Sequence, residues 1–313
     1  MKNKCIGVDV GGTTVKLGLF EVSGECLKKW EIPTRKGENG KRIFEDVAAA
    51  IRETLTEWNA TLTDVTGVGM GIPGPVMNDG YVPKCPNLAC KELYPAKELS
   101  ALLDGIPVSC GNDANVAALG EMWMGGGKGY HDIVMVTLGT GVGGGIILDE
   151  KIVTGRHGLG GEIGHIHVRD QEKEHCGCGA CGCLEQVASA TGIVREAKRV
   201  LAAEEKASAM REFGEQLSAK NVLDAAKAGD EVACEVMETV FHYLGSALAS
   251  VSLTVDPEMF VIGGGVAKAG QFLIDGIAAH YSRYMTISAS HAGICLAALG
   301  NDAGIYGAAR LAL

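Results

Sequence analysis

The sequence predicts an α/β protein with two domains. Its 313 residues exceed what one hydrophobic core usually serves, and a hydrophobic content of 47% provides material for two. Residues 5–16 and 133–145 repeat one design, a β-branched apolar run that ends in a glycine-rich turn carrying Thr. Such turns leave main-chain N–H groups uncovered, and rows of these donors bind phosphate oxygens. We therefore expect two turns that together hold a polyphosphate.

The spacing of apolar residues predicts the elements around these turns. In order they are strands near residues 4–10, 15–21 and 26–32, a helix over 42–59, a strand ending at Gly71, a strand over 107–110, a helix over 116–124, a hairpin over 146–153 and a helix over 303–313. In the first helix, Ile43, Val47, Ile51 and Leu55 recur at helical spacing. Strands and helices that alternate in this way are typical of α/β domains.

The first glycine turn is flanked by charged residues. Asp9 precedes it on the strand, and Lys16 follows it. A glycine after a strand most often marks only a hairpin or a bulge. An acidic residue can hold a metal ion through water, however, and a nearby cation attracts phosphate. The combination favours a phosphate site over a plain turn.

The second glycine turn matches the spacing of the dinucleotide fingerprint at Gly139, Gly141 and Gly144. That fingerprint requires a following helix, whereas residues 146–153 have the pattern of a hairpin with a polar turn. The Gly-Lys-Ser/Thr ending of a P-loop is also absent from the sequence. We therefore expect phosphate to lie on a β-turn.

Charge and hydropathy restrict the partners. A formal net charge of −10 disfavours binding along a nucleic-acid backbone or an anionic membrane. The apolar stretch at the N-terminus is short for a signal peptide and is broken by Asp9, and no run of about 18 apolar residues occurs. The expectation is a cytoplasmic protein whose partner is a small molecule.

The cysteines divide into a scattered set and a cluster. Those at positions 5, 26, 85, 90, 110, 234 and 295 are expected to be small buried hydrophobes. Cys176, Cys178, Cys181 and Cys183 lie together, with His165 upstream, and thiolates with a histidine are typical of zinc. One His and three Cys fill a tetrahedral site, which indicates a structural ion. The competing redox interpretation of Cys178-x-x-Cys181 expects a helix after the first thiol, and the glycine-rich loop does not supply one.

Taken in order, the motifs resemble those of the ROK family of bacterial sugar kinases, most closely its ATP-dependent glucokinases, over nearly the whole chain. They are Asp9–Lys16 (DVGGTTVK), Gly71–Pro75 (GIPGP), Asn112–Asn115 (NDAN), Leu138–Gly145 (LGTGVGGG), Gly161–His165 (GEIGH) and the cysteine cluster followed by Leu184 and Glu185. The resemblance implies the actin/hexokinase-like (ribonuclease H-like) two-domain ATPase fold with an interdomain cleft. Residues 1–115 with about 300–313 would form a small domain carrying the first turn. Residues 116–299 would form a large domain with the second turn, the zinc loop and an adenosine turn.

The resemblance also implies an activity, the ATP-dependent phosphorylation of a hexose at its 6-hydroxyl, with glucose as the expected substrate and glycolysis as the setting. Asp113 is the expected catalytic base, because a carboxylate between a strand and a helix can accept a hydroxyl proton. The other interpretation of Asn112-Asp113 is a helix cap. The implied sugar-binding residues are Gly74, Asn87, Asn112, Asp113, Gly141, Glu162, His165 and Glu185.

The cofactors implied by the resemblance are ATP with Mg²⁺ and a structural Zn²⁺. The residues implied for ATP and Mg²⁺ are Asp9, Gly11, Gly12, Thr13, Thr14, Lys16, Thr140, Gly141, Gly263, Gly264 and Gly265, the last three against adenosine. The implied zinc ligands are His165, Cys176, Cys178 and Cys183. His165 would bind zinc through one ring nitrogen and face the sugar with the other. A homodimer is expected by analogy.

Two departures from the family pattern leave alternatives open. Cys181 is an additional cysteine, so spacing alone does not decide whether Cys181 or Cys183 is the fourth ligand. After Asn87-Leu88, Ala89 and the following residues replace the aromatic residue of many relatives, which weakens the assignment of the hexose. N-acetylmannosamine, N-acetylglucosamine, mannose and allose remain alternative substrates, and polyphosphate remains an alternative donor.

Two other classes of protein are considered. A sugar-responsive transcriptional regulator of this family carries a DNA-binding helix-turn-helix before the phosphate strand, whereas Asp9 here lies close to Met1. A catalytically silent sugar-binding protein conflicts with the presence of Asp9, Lys16 and Asp113. The kinase interpretation is therefore preferred.

Overall fold

A computed structural model describes residues 2–203, 205–288 and 290–313. The strands are β1 Lys4–Val10, β2 Thr14–Glu21, β3 Cys26–Pro33, β4 Val65–Ile72, β5 Val82–Cys85, β6 Cys90–Leu93, β7 Val108–Asn112, β8 Ile133–Leu138, β9 Val142–Leu148, β10 Lys151–Ile152, β11 Met259–Gly263 and β12 Gly293–Leu296. The helices are α1 Lys41–Glu57, α2 Pro95–Leu102, α3 Asp113–Met124, α4 Glu185–Ala188, α5 Ala190–Ala203, α6 Ala219–Lys227, α7 Glu231–Val255, α8 Gln271–Tyr284 and α9 Ala303–Leu311. Among the described residues, no helix combines the length and apolarity needed to cross a membrane.

Two five-stranded sheets organise these elements. The first has the order β3-β2-β1-β4-β7, and the second has the order β10-β9-β8-β11-β12. Counted along the chain, both orders are third, second, first, fourth and fifth. In the first sheet β1 runs antiparallel to β2 and parallel to β4. Each glycine-rich turn therefore joins the first strand of a sheet to its second strand.

The first sheet is covered on both faces, which explains why its inner strands are almost continuously apolar. One face packs against α1 and α2 in a core that includes Ile6, Val8 and Ile51. The other face packs against α9, where Cys5 and Ile305 are buried. These contacts fix the strand that carries Asp9.

The predicted elements around the first turn are confirmed with small shifts of their ends. The helix predicted over 42–59 spans Lys41–Glu57, and Asn59 lies beyond it with a φ of 49°. The helix predicted from residue 116 begins earlier, at Asp113. The Asn112 side chain caps its first turn, so the residues that were predicted to precede this helix form part of it.

The chain forms two compact units. The first contains residues 1–133, 145–161 and 298–313, and the second contains residues 134–144 and 162–297. Helix α3 belongs to the first unit, whereas the predicted domain boundary near residue 115 assigned it to the second domain. The reason is its close packing on α9, where a Cβ at Gly307 would lie 1.7 Å from the Val116 carbonyl oxygen.

Candidate active site and metal centre

The first glycine turn joins β1 to β2 within the first unit. The Gly11 N–H donates to the Thr14 carbonyl at 3.0 Å, and the Thr34 hydroxyl donates to the Gly11 carbonyl at 2.7 Å. A Cβ at Gly11 would lie 2.7 Å from the same Thr14 oxygen, so this position needs glycine. The strand register places Asp9 directly opposite Lys16. The predicted acid and cation are therefore neighbours beside the turn.

Asp9 lies in an environment that resists its negative charge. Burial, and to a smaller extent the negative charge of Asp113, raise the pKa of its carboxyl group to about 6, although Lys16 acts in the opposite direction. The Lys16 ammonium donates to the Asn301 carbonyl at 3.1 Å. A Cβ at Gly304, in the first turn of α9, would lie 2.6 Å from Asp9 Oδ2. A bound cation would relieve the repulsion between the two carboxylates.

Asn112 and Asp113 stand where β7 becomes α3. The Asn112 Oδ1 accepts from the N–H groups of Ala114 and Asn115 at 3.0 and 3.2 Å, and its Nδ2 donates to the Gly74 carbonyl at 3.0 Å. The Asp113 Oδ1 accepts from the Ala114 N–H at 2.9 Å. Asn112 is therefore a helix cap and also a clamp on the Gly74 loop.

Asn87 completes the group of predicted residues in the first unit. It lies in the short 3-10 helix Pro86–Leu88. A Cβ at Gly12 would lie 3.6 Å from the Asn87 carbonyl oxygen. The loop predicted to wall the sugar pocket thus lies close to the first glycine turn.

The second glycine turn joins β8 to β9, and its main chain is held by residues from distant parts of the second unit. The Gly139 N–H donates to the Gly141 carbonyl at 2.9 Å, and the Thr191 hydroxyl donates to the Thr140 carbonyl at 3.0 Å. The Val142 N–H donates to Glu185 Oε2 at 2.9 Å. A Cβ at Gly141 would lie 2.1 Å from that carboxylate oxygen. Glycine is therefore required for Glu185 to rest on the turn.

The histidine and three of the clustered cysteines form a compact group. One ligand atom each from His165, Cys176, Cys178 and Cys183 lies within 4.8 Å of all the others. The His165 Nδ1 is 3.7 Å from Cys176 Sγ, and Cys178 Sγ is 3.6 Å from Cys183 Sγ. Tetrahedral zinc with bonds of about 2.0–2.3 Å separates its ligands by about 3.5–3.8 Å. The donor set and its spacing fit Zn²⁺.

Cys181 lies outside this group. Its Sγ is 3.5 Å from the Nδ1 of His175. Cys183, by contrast, pairs with His167 in an isolated β-bridge, and this bridge fixes its backbone close to Cys178. The two cysteines that sequence spacing left as alternatives thus occupy different surroundings.

The predicted sugar ligands of the second unit surround the cysteine group. Glu162 directly precedes the short 3-10 helix Ile163–His165, and its Oε2 lies 3.9 Å from His165 Nε2. The Glu185 Oε1 lies 3.5 Å from Cys176 Sγ. His165 therefore presents Nδ1 to the cysteines and Nε2 to the side of Glu162. A cavity of about 300 Å³ beside them is lined by Glu185, Gly141 and Thr140.

Arg195 lines the same cavity and was not predicted from the sequence. Its guanidinium donates to the Gln186 carbonyl at 2.6 Å and to Glu172 at 3.1 Å. The carboxyl of Glu172 is buried among arginines, and hydrogen bonding to Arg199 lowers its pKa to about 2. A single arginine in a helix has no pattern that distinguishes it from a surface residue. The density of charges over 169–199 was the available signal.

The third glycine run, Gly263–Gly265, follows β11 in the second unit. A largely apolar cavity of about 380 Å³ adjoins it, lined by Gly265, Val266, Leu223 and Lys227 among others. An apolar cavity beside a glycine turn suits a flat, mostly apolar ring. The predicted residues of each unit therefore form local groups at the glycine turns and the cysteine group.

Two five-stranded sheets with the same strand order, each with a glycine turn between its first two strands, are typical of the actin/hexokinase-like class of proteins. The chain belongs to the ROK family, whose profile matches residues 5–313. It is 41% identical over 306 residues to the glucokinase of Halalkalibacterium halodurans, covering 96% of this chain and 92% of that protein.

Two solved structures show the same relation. The ROK hexokinase of Thermus thermophilus is 31% identical with a TM-score of 0.80, and the match covers 98% of this chain and 97% of that one. A ROK family glucokinase from Streptomyces griseus, solved in complex with glucose and AMPPNP, is 34% identical with a TM-score of 0.71, covering 98% of each chain. The predicted family and fold class are confirmed.

Proposed function

We propose that this protein transfers the terminal phosphoryl group of ATP to the 6-hydroxyl of glucose. The observation that carries the proposal is the 41% identity to a glucokinase over 96% of the chain. The glucose and AMPPNP complex of the Streptomyces griseus relative supports both substrates. The local geometry of each unit supplies chemistry that suits this reaction.

Asp113 acts on the acceptor. Phosphoryl transfer needs a polarised hydroxyl aligned with the donor, and a carboxylate supplies the base. The Ala114 N–H donates to Oδ1 of Asp113 and so orients the carboxylate that would accept the proton of the sugar hydroxyl. Asn112 holds the start of α3 and the Gly74 loop together, so it keeps the base aimed.

Asp9 and Lys16 act on the donor. The main-chain N–H groups of Gly12–Thr14 would contact phosphate oxygens, and Lys16 supplies positive charge beside them. Asp9 would hold Mg²⁺, through water or directly, and this ion neutralises negative charge on the phosphates. The repulsion between Asp9 and Asp113 supports a cation at this place.

Glu162, His165 and Glu185 bind the sugar. Carboxylates accept hydrogen bonds from vicinal hydroxyls, which suits a hexose. Zinc held by His165 and the three cysteines would fix the loop and orient the imidazole, so it has a structural role. The turn at Thr140 and Gly141 holds phosphate, and the apolar cavity at Gly265 receives the adenine ring.

A cytoplasmic location and a homodimer complete the proposal. Among the described residues, which include all eleven cysteines, no disulfide is formed, and this suits a reducing compartment. The dimer rests on analogy with the family. Sedimentation velocity measures the oligomeric state, and a monomer at micromolar concentration would refute the proposed homodimer.

The activity is tested with purified protein, Mg-ATP and a panel of hexoses, with coupled detection of ADP. We expect the highest kcat/KM for glucose, with N-acetylmannosamine, N-acetylglucosamine, mannose and allose below it. Polyphosphate in place of ATP tests the donor. Absence of ADP formation with every sugar would refute the kinase, and a higher kcat/KM for another hexose would refute glucose.

A further inference from the structure

Glu121 is a fully buried carboxylate in the last turn of α3. Its Oε2 accepts from the N–H groups of Gly126 and Ala298 at 2.8 and 2.9 Å. Its Oε1 accepts from the Leu299 N–H at 2.8 Å. The negative end of a helix dipole disfavours an acidic side chain, and burial disfavours it further. Three charge-assisted bonds to main-chain donors offset these costs.

The main chain around Glu121 is shaped for this carboxylate. A Cβ at Gly125, the residue that ends α3, would lie 2.0 Å from Glu121 Oε2. The side chain therefore folds back over the end of its own helix. From there it reaches residues 298–299, which are far away in the sequence.

The segment that Glu121 holds leads directly to the charged residues of the first glycine turn. Leu299 precedes the 3-10 helix Gly300–Asp302, and Asn301 within it accepts the hydrogen bond from Lys16 at 3.1 Å. Helix α9 follows, and its Gly304 lies against the Asp9 carboxylate. Both charged residues beside the turn thus contact a segment whose first amides are bonded to Glu121.

Helix α3, which has Glu121 in its last turn, begins at Asp113. Helix α3 packs so closely on α9 that a Cβ at Gly120 would lie 2.2 Å from the Ala303 carbonyl oxygen. A rigid α3 therefore has Asp113 at its start and Glu121 at its end, and Glu121 bonds to the chain that enters α9. The positions of Asp113, Asp9 and Lys16 therefore all depend on the packing of α3 against residues 298–304.

We propose that Glu121 is a positioning residue for phosphoryl transfer, which sets the place of Asp9 and Lys16 relative to Asp113. It touches neither substrate nor metal in this assignment and acts through residues 298–304. The inference rests on the proposed function, since it deepens the roles given there to Asp9, Lys16 and Asp113.

The first test is Glu121→Gln, which has nearly the same shape but offers one acceptor oxygen to three N–H donors. We expect kcat/KM for ATP to fall roughly 10²-fold, because small displacements of aligned groups cost about that much. Binding of Mg-AMPPNP, measured by calorimetry, should weaken in parallel. The dissociation constant for glucose, measured without nucleotide, should stay within about twofold.

A second variant and a control separate positioning from stability. Gly125→Ala keeps the carboxylate but displaces it, and should lower kcat/KM for ATP in the same way. Ser252→Ala is the control, because Ser252 is also buried and its hydroxyl is hydrogen-bonded to that of Tyr281 at 2.7 Å, between α7 and α8. It should lower the unfolding temperature and leave both substrate constants unchanged.

The outcomes are distinct. Nucleotide binding and kcat/KM for ATP like those of the wild type in Glu121→Gln would overturn the inference, as would losses equal to those of Ser252→Ala. If Glu121→Gln does not fold, Gly125→Ala decides by the same two measurements. A wild-type protein that phosphorylates no hexose would refute the proposed function, and Mg-AMPPNP binding by the variants would still decide the role of Glu121.

Discussion

The two glycine turns occupy the same position in two sheets of the same strand order, yet they differ in their surroundings. Each is closed by a main-chain bond from its first glycine, Gly11 to Thr14 and Gly139 to Gly141. The first turn has Asp9 and Lys16 on its own strands. The second turn receives its one described carboxylate, that of Glu185, from a distant part of the chain.

This difference in surroundings indicates that the two glycine turns have different functions. In our proposal the backbone amides of both turns bind phosphate, so the backbone alone does not distinguish the roles of the two turns. The charges beside the first turn suit binding of a metal ion and the donor phosphates. The second turn is instead supported by Glu185, which is also a proposed sugar ligand. Four predictions test this difference in function, from the largest expected effect to the smallest.

Asp113→Ala should produce the largest change, because it removes the proposed base. We expect kcat to fall about 10²–10⁴-fold. Glucose binding by calorimetry should persist through the remaining ligands. Asp275→Ala, on the exposed side of α8, is the matched control and should retain the wild-type rate. An unchanged kcat in Asp113→Ala would remove this residue from the mechanism.

Cys178→Ser should show what the metal site contributes independently of the second turn, because it removes one proposed zinc ligand and leaves the turn unchanged. Wild-type protein should contain about one zinc per chain, and the variant much less. Unfolding temperature and glucose affinity should fall together, the latter about tenfold, since His165 loses its anchor. Cys181→Ser, outside the ligand group, should keep the metal. Full activity and stability in zinc-free protein would contradict the role given to His165.

The paired variants Gly11→Ala and Gly141→Ala compare the two turns directly. Their Cβ atoms would crowd the Thr14 carbonyl and the Glu185 carboxylate respectively. Overpacking costs typically about 1–3 kcal/mol, so changes of about tenfold or more are expected. Gly11→Ala should mainly raise KM for ATP, and Gly141→Ala should raise KM for glucose as well. Equal effects of both variants on both constants would show that the turns are not specialised.

Acid should weaken the support of the second turn through Glu172. Hydrogen bonding to Arg199 lowers the pKa of this carboxyl from 4.5 to about 2, so its contribution to stability is present above pH 4.5 and is lost as pH falls toward 2. The loss is at most about 1.4 kcal/mol per pH unit. Hydrogen exchange should show earlier loss of protection over 185–199 than over 4–21. Glu172→Gln should abolish that difference, and its persistence in the variant would exclude Glu172 as the cause.

Local patterns in the sequence were sufficient for the elements that carry the first turn. The hairpin of β1 and β2 follows from apolar spacing, and its register brings Asp9 opposite Lys16 as their positions suggest. The Asn112-Asp113 pair also matched its alternative interpretation, since Asn112 caps α3. A helix cap and a base at the next residue are compatible, so the two readings do not exclude one another.

Contacts between distant segments could not be read in this way. An acid such as Glu121 in an amphipathic helix reads as solvent-exposed, because its partners at 298–299 are brought to it by the packing of α9. The choice between Cys181 and Cys183 depends likewise on the β-bridge to His167, which no spacing predicts. Sequence identifies chemically suitable residues, whereas tertiary packing decides which of them meet.

The contact between Glu185 and Gly141 has a further consequence. One oxygen of that carboxylate bonds to the amide after the turn, and its other oxygen faces Cys176. In the proposed assignment, a sugar hydroxyl that bonds to Glu185 is therefore linked through this carboxylate to the Val142 amide, next to the turn that would bind the nucleotide. If Glu185 binds the sugar as proposed, this one carboxylate would couple binding of the acceptor to the turn that is proposed to hold the donor.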